Sequence, residues 1–378
     1  MMSIQISGSS KRKTYNLSPA CKNLFPFSSH HYFPARKQYW LIIVTEHSDM
    51  IKASCIISIL ALLITSYRPL PQTIHKNDYL PVLFAPGIIS TRDDEFGSSF
   101  TADGKNCFFC IKSPSTISGS TYTICFSQMK DGQWTEPEIA PFSGRYKDFN
   151  PSVSPDGSKL FFVSNRPVDE KKKNDFDIWF VERKGNGWGE PENIGAPVNG
   201  SGHELGCSAA ANGTLYFSST GTTGNIDIYR STFNNGKYNT PELLSDSVNT
   251  DNNESDPFIA PDESYILFSS QGRADALVGV GADASYPRSD LYISFQKNGK
   301  WTKARNLGAP VNSTAEETNP SVSPDGKTLY FTSERNFITI PMSKPITYDF
   351  LNTHLHASAN GLGDIYAVPF ESVAGAAK

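Results

Sequence analysis

Asn150-Pro-Ser-Val-Ser-Pro-Asp-Gly-Ser-Lys-Leu-Phe-Phe-Val-Ser164 and Asn319-Pro-Ser-Val-Ser-Pro-Asp-Gly-Lys-Thr-Leu-Tyr-Phe-Thr-Ser333 are near copies of one phrase. Weaker copies are Ser99-Phe-Thr-Ala-Asp-Gly-Lys-Asn-Cys-Phe-Phe109, Ala209-Ala-Ala-Asn-Gly-Thr-Leu-Tyr-Phe-Ser-Ser219 and Ile259-Ala-Pro-Asp-Glu-Ser-Tyr-Ile-Leu-Phe-Ser-Ser270. The turn residue of each copy is Asp103, Asp156, Asn212, Asp262 or Asp325, at intervals of 53, 56, 50 and 63 residues. Within the phrase, small and apolar residues alternate, a Pro-Asp-Gly turn follows, and an aromatic, β-branched run comes after it. That is strand, tight turn, strand: Asp hydrogen-bonds its own backbone and Gly accepts positive φ. Strands repeating at this period predict a propeller or a similar array.

Working outward, each unit continues into a third strand: Asp177-Ile-Trp-Phe-Val, Asp227-Ile-Tyr-Arg-Ser, Asp290-Leu-Tyr-Ile-Ser or Asp364-Ile-Tyr-Ala-Val, with Tyr122-Thr-Ile-Cys-Phe in the first repeat. A Gly turn and an aromatic come next, at Trp134, Trp188, Tyr238 and Trp301. The fourth strand runs through Pro191-Glu-Asn-Ile-Gly-Ala-Pro197 or Ala304-Arg-Asn-Leu-Gly-Ala-Pro310. The fifth repeat lacks a fourth strand, and Leu83-Phe-Ala-Pro-Gly-Ile-Ile89, ahead of the first repeat, resembles the missing piece by matching Leu83 to Ile194 and Leu307. The fold class expected is all-β, a five-bladed β-propeller of four-stranded blades closed by an N-terminal strand, which removes an exposed sheet edge. A sixth, degenerate blade is the alternative.

The combination Ser-Pro-Asp-Gly, Asp-Ile-Tyr and Asn-Leu-Gly-Ala-Pro-Val-Asn resembles the WD40-like propeller repeats of TolB-type proteins, over roughly residues 80–370. The resemblance implies a scaffold for binding and assembly at the cell envelope. Some such proteins are fused to a peptidoglycan-binding domain, which does not follow residue 370 here.

The 34 basic and 38 acidic residues give a net charge of −4, against nucleic-acid binding, which needs a basic face. Aromatics at 12% and 25 prolines suit a loop-rich β protein. Residues 1–49 read as a spurious or disordered extension, 50–67 as a signal peptide or signal anchor, 68–79 as a linker and 80–378 as the propeller. The signal reading rests on Met50-Ile-Lys52 before the apolar run Cys55–Thr65, too short for a comfortable membrane span. The protein is therefore expected to be exported, periplasmic or extracellular, monomeric, and in contact with membrane only through an uncleaved anchor. Six cysteines form no disulfide pattern, and Cys107 and Cys110, three apart in a strand, should point to opposite faces.

Eight residues before each turn position stands an acid: Glu95, Asp148, Glu204, Glu254 and Glu317. It marks the start of the innermost strand, at the channel mouth, on the face that carries the long insertions Pro167–Phe176, Gly272–Ser289 and Asn336–Gly363. Such a ring either focuses negative potential on a cation or basic ligand, or caps backbone N–H groups of the inter-blade loop. His203 beside Glu204, together with His354 and His356, forms a candidate transition-metal set. Asp177, Asp227, Asp290 and Asp364 recur in every blade but one and read as structural, with Arg166, Arg273 and Arg335 expected to pair with them or cap loops. The functional expectation is a non-enzymatic binding scaffold, without a cofactor except for an optional divalent cation, that recognises a protein or envelope glycan on the insertion-rich face. The alternative is a glycan-active lyase or hydrolase with a His/carboxylate site at the channel mouth. No Gly-x-Ser-x-Gly, His-Glu-x-x-His or phosphate loop is present.

Overall fold

The computed structural model describes residues 3–6, 13–16, 79–114, 119–168, 175–221, 224–277, 288–336 and 342–374. The chain divides into a unit over Met1–Gln72 and one over Thr73–Lys378. In the first, Ser3–Ile6 pairs antiparallel with Lys13–Asn16. The signal segment, Cys21, Cys55, Lys171–Lys173 and the glycines at 279 and 281 lie outside the described residues.

The second unit is a five-bladed β-propeller. The innermost strands are Asp94–Phe100, Asp148–Val153, Glu204–Ala209, Asn253–Ile259 and Glu317–Val322. Each pairs antiparallel with a second strand: Asn106–Lys112, Lys159–Ser164, Leu215–Ser219, Tyr265–Gln271 or Thr328–Ser333. Third strands (Tyr122–Lys130, Asp177–Lys184, Asp227–Ser231, Ser289–Lys297, Asp364–Pro369) carry two-residue fourth strands at Glu138–Ile139, Glu192–Asn193, Glu242–Leu243, Arg305–Asn306 and Val82–Leu83. Inner strands lie beside one another in order, and that of blade 5 returns to that of blade 1.

Each turn forms as its sequence dictates. The side chains of Asp103, Asp156, Asn212, Asp262 and Asp325 each accept the N–H two residues on, at 2.9–3.1 Å. The second strands are the hydrophobic centre of each blade. Phe109, Phe162, Phe217, Phe268 and Phe331 are all buried, each contributing about 1.5–3 kcal/mol by leaving water. Cys107 and Cys110 enter different hydrophobic clusters on the two faces of their sheet, as their spacing requires.

The ring closes through the N-terminal strand. Leu83 pairs with Tyr366 and Val82 with Ala367. Phe84 N–H donates to Ile365 O at 2.8 Å, as Ile194, Leu244 and Leu307 donate to Ile178, Ile228 and Leu291 in their own blades. Asn199, Asn249 and Asn312 bracket those same residues, accepting the N–H and donating to the carbonyl at 2.9–3.0 Å. Ser90 brackets Ile365 in the same way through its hydroxyl. Phe84, not Leu83, is therefore the counterpart of Ile194 and Leu307. The sequence match is one residue off: the turn in which Ile88 and Ile89 donate to Ala85 O repeats that of Val248 and Asn249 on Ser245 O, but the bracket comes from Ser90, one residue beyond the position of the Asn.

Candidate functional site

The five acids sit at equivalent positions, and all are buried, with no more than 2% exposure. A carboxylate at such a site needs hydrogen bonds or a counter-charge. Glu254 accepts from Thr250 N (2.9 Å), Thr250 Oγ1 (2.8 Å), Ser270 Oγ (2.7 Å) and Arg273 Nη2 (2.9 Å). Glu317 repeats the pattern with Ser313, Ser333 and Arg335. Asp148, one methylene shorter, takes Ser143, Ser164 and Arg166. The arginines also donate to carbonyls of the preceding loop, Phe142, Val248 and Val311. Their guanidinium planes lie over Trp179, Tyr292 and Tyr366, at 4.5–5.2 Å. Arg166, Arg273 and Arg335 thus pair with the ring acids. Of the two roles expected for these arginines, loop capping is seen in the bonds to Phe142, Val248 and Val311, while pairing with the third-strand acids is not: Asn193 and Asn306 donate to Asp177 and Asp290, and Ala359 N to Asp364.

Blades 1 and 3 depart from this pattern. In blade 1, Cys125 stands where the others place an aromatic ring, so a guanidinium has no shelf. Ser113 stands where Arg166 would, and among the described residues Glu95 receives Thr91 N (3.0 Å) and Thr91 Oγ1. Burial without a cation raises the Glu95 carboxyl from 4.5 to about 7, with the nearby Asp364 adding to the effect. Burial likewise raises Asp364 to about 6, with Asp94 contributing. In blade 3 the arginine is replaced by Gly221, and the Tyr229 hydroxyl takes its space: a Cβ on Gly221 would fall 2.3 Å from Tyr229 Oη. Glu204 accepts from Ser219 Oγ at 3.1 Å.

The histidines each have local partners. His203 Nδ1 accepts from Phe176 N at 3.2 Å, and its ring packs on Phe176. His354 lies on the helix Tyr348–Leu355, stacked on Phe350, while His356 follows the helix and bonds Asn352 O at 2.7 Å. Among the described residues, no group of three or more His, Cys, Asp or Glu is placed to hold a metal ion.

Two positions beyond each acid lies a position whose role sequence reasoning missed. Gly97, Asn150, Asp256 and Asn319 all take left-handed φ of 50–67°. They form a β-bulge that interrupts the register of four of the five inner strands. Asn319 Nδ2 donates to Asn150 Oδ1 (3.0 Å), and Asn150 Nδ2 donates to Asp256 Oδ1 (3.0 Å) and Leu205 O (2.7 Å). Three blades thereby join hands across the propeller axis. Gly206 leaves them room, since a Cβ there would stand 3.1 Å from Asn150 Nδ2. Burial raises the Asp256 carboxyl, opposed by bonds from Ser255, Ser269 and Asn150. Beyond this bar, a cavity of about 230 Å³ runs between the inner strands to the turn face. The signal was in the sequence: Asn-Pro or Asp-Pro in three repeats and Gly in the other two, at the acid's second neighbour.

No protein-family model matches the chain, and no relative matches by sequence among characterised proteins. Solved structures are similar in fold. A TolB of Agrobacterium tumefaciens is 15% identical, with a TM-score of 0.41 over 74% of this chain and 91% of that one. A glycoside hydrolase is 8% identical, with a TM-score of 0.45 over 85% and 96%. The hydrazine synthase of Kuenenia stuttgartiensis is 15% identical, with a TM-score of 0.36 over 69% and 76%. Likenesses this loose do not discriminate between functions, and the propeller assignment stands on the blade topology itself.

Proposed function

We propose that this protein is an exported, non-enzymatic binding scaffold that holds a protein partner on its insertion-bearing face. One observation carries the reading. The blade 5 insertion displays Met342, Ile346, Tyr348, Phe350, Leu355 and Leu362 to solvent, with Tyr348 77% exposed. The helix Tyr348–Leu355 is capped by Thr347, whose hydroxyl accepts from Phe350 N, yet it buries none of its residues. An eight-residue helix without a buried face gains little from propensity alone, and a cluster of exposed apolar side chains marks an interaction surface. The insertion is tethered: Asn360 Nδ2 donates to Arg92 O, and Gly363 N donates to Asp94 Oδ1. Large apolar side chains suit a protein surface better than a glycan, which favours the first of the two partner classes.

The test compares envelope partners crosslinked to the wild type and to a Tyr348→Ser/Phe350→Ser variant in a cell that exports the chain. The expected result is one defined partner lost from the variant while the melting temperature holds. An identical crosslinking pattern rejects the reading.

A further inference from the structure

The five seams between blades are not equivalent. At three of them, an indole from the outer hairpin of one blade packs on a ring of the blade before it. Trp188 meets Phe108 at 5.8 Å, Trp301 meets Tyr216 at 6.2 Å, and Trp134 meets Phe84 of the completed blade 5 at 5.6 Å. At a fourth seam, Phe370 meets Tyr265 at 5.0 Å. Between blades 2 and 3 the hairpin carries Tyr238, whose ring meets Phe233 of its own blade at 4.8 Å at the outer edge of the apolar cluster that joins Phe161 and Ile178 to Leu215 and Phe217. Across the gap, Phe161 packs on Phe180 of its own blade at 6.1 Å. A cleft of about 910 Å³ opens there.

The cleft reaches the turn face, as Pro155, Gly213 and Gly236 line it. Ser154, Pro155 and Ala209 border both it and the axial cavity, so it is elongated from the axis toward the rim. Its walls are aromatic and aliphatic: Phe161, Phe180, Phe233, Tyr238, Ile194 and Pro197. Apolar walls with a few placed polar groups, at this volume, are the character of a ligand site. Its charges fix the ligand's sign. Lys159 is held by Glu182 at 2.5 Å and lies over Phe180. The Asp156 carboxylate is taken by the hydroxyls of Ser154 and Ser158. Lys237 is exposed at the lip and makes no ion pair among the described residues. Asp156 keeps its negative charge within the turn, and Lys237 is the cation of the lining left for a ligand carboxylate, among the described residues.

We propose that the seam between blades 2 and 3 is a binding cleft for an extended peptide segment in which aromatic or branched side chains neighbour an acidic one. The rings fill the apolar walls, the carboxylate meets Lys237, and the length of the cleft favours a chain over a compact molecule. The cleft runs from the turn face along the seam to Ile194 and Pro197 and shares no lining residue with the blade 5 insertion.

Fluorescein-labelled hexapeptides alternating Phe or Leu with Glu, titrated against the full chain by fluorescence anisotropy, test the assignment. Saturable binding by the wild type is expected. Tyr238→Trp installs the residue of the other seams, and it should weaken binding by roughly tenfold or more, about 1.4 kcal/mol, without lowering the melting temperature. Lys237→Glu should weaken it several-fold, while Tyr348→Ser/Phe350→Ser leaves it unchanged. Absence of saturation across the series, or equal affinity for wild type and Tyr238→Trp, overturns the site. N-acetylphenylalanine binding as tightly as the hexapeptides overturns the peptide as its occupant. Loss of binding in Tyr348→Ser/Phe350→Ser puts the peptide on the blade 5 insertion and overturns the assignment to this cleft.

Discussion

Blade 4 and the seam of blades 5 and 1 solve the same problem from different materials. Blade 4 comes from one run of chain, Asn253 to Asn306, and its ring acid Glu254 meets a guanidinium resting on Tyr292. The seam is assembled from both ends of the propeller. Its fourth strand is Val82–Leu83, its ring acid Glu95 has no arginine partner among the described residues, and Asp94 and Asp364 crowd the same corner. The fold tolerates a buried acid by pairing it, as at Glu254, or by holding its proton, as at Glu95, and the second choice makes stability depend on pH near neutrality.

The largest effect should come from the borrowed strand. Removing residues 1–78, which spares Tyr79 where it packs on the core, should leave the melting temperature unchanged. Removing 1–89 strips Leu83, Phe84, Ile89 and the Ser90 bracket's approach, and should cost on the order of 5 kcal/mol, a large share of a domain's stability. Equal melting of the two truncations would erase the distinction between blade 5 and the rest. Next is Arg273→Ala, which strands Glu254 in the interior and should cost about 3–5 kcal/mol in urea denaturation. Adding Glu254→Gln should recover part of that loss, and no recovery would mean the arginine acts through packing alone.

At the seam the sign reverses. The folded-state pKa of Glu95 is raised, so the folded protein holds the proton more tightly than the unfolded chain does. That stability is fully present below about pH 4.5 and is lost as pH rises through about 7. Asp364, raised to about 6, adds in the same direction. Glu95→Gln should therefore stabilise the protein at pH 8, by roughly 3 kcal/mol as an order of magnitude, and change little at pH 4.5. Parallel wild-type and variant curves between those pH values would refute this account of Glu95. Smaller still, Ser113→Arg with Cys125→Tyr rebuilds the blade 4 arrangement in blade 1. It should flatten the same pH dependence, with a gain of about 1–2 kcal/mol at pH 8. Ser113→Arg alone, without the ring as a shelf, should do less. Because the ring acids are committed to Ser, Thr and Arg, calcium, zinc or EDTA should leave the melting temperature where it was. A shift of several degrees would make the ring or the histidines a metal site.

Blade number, strand order, turn chemistry and the closing strand were legible in the sequence because each depends on residues close together in one repeat. Pro-Asp-Gly turns, period-two strands and the Asn-Leu-Gly-Ala-Pro-Val-Asn segment make their bonds locally, and the turn's side-chain bond recurs in all five repeats. The ring acids were also legible as a set, but not what they do. Whether Glu254 faces the channel or Arg273 depends on which way the inner strand turns against the second strand. Arg166, Arg273 and Arg335 were visible, but the sequence reading gave them to Asp177, Asp227, Asp290 and Asp364 or to loops, and not to the ring acids Asp148, Glu254 and Glu317 that they meet. Only the register of the second strand against the first decided between them. The bar Asn319–Asn150–Asp256 joins repeats 169 and 106 residues apart, and the open seam at Tyr238 exists only relative to sealed seams elsewhere. Local hydrogen bonding and hydrophobic period belong to the sequence. Convergence on an axis and the fit of one blade against the next belong to the tertiary structure, because both are set by side chains that meet only once the ring has closed.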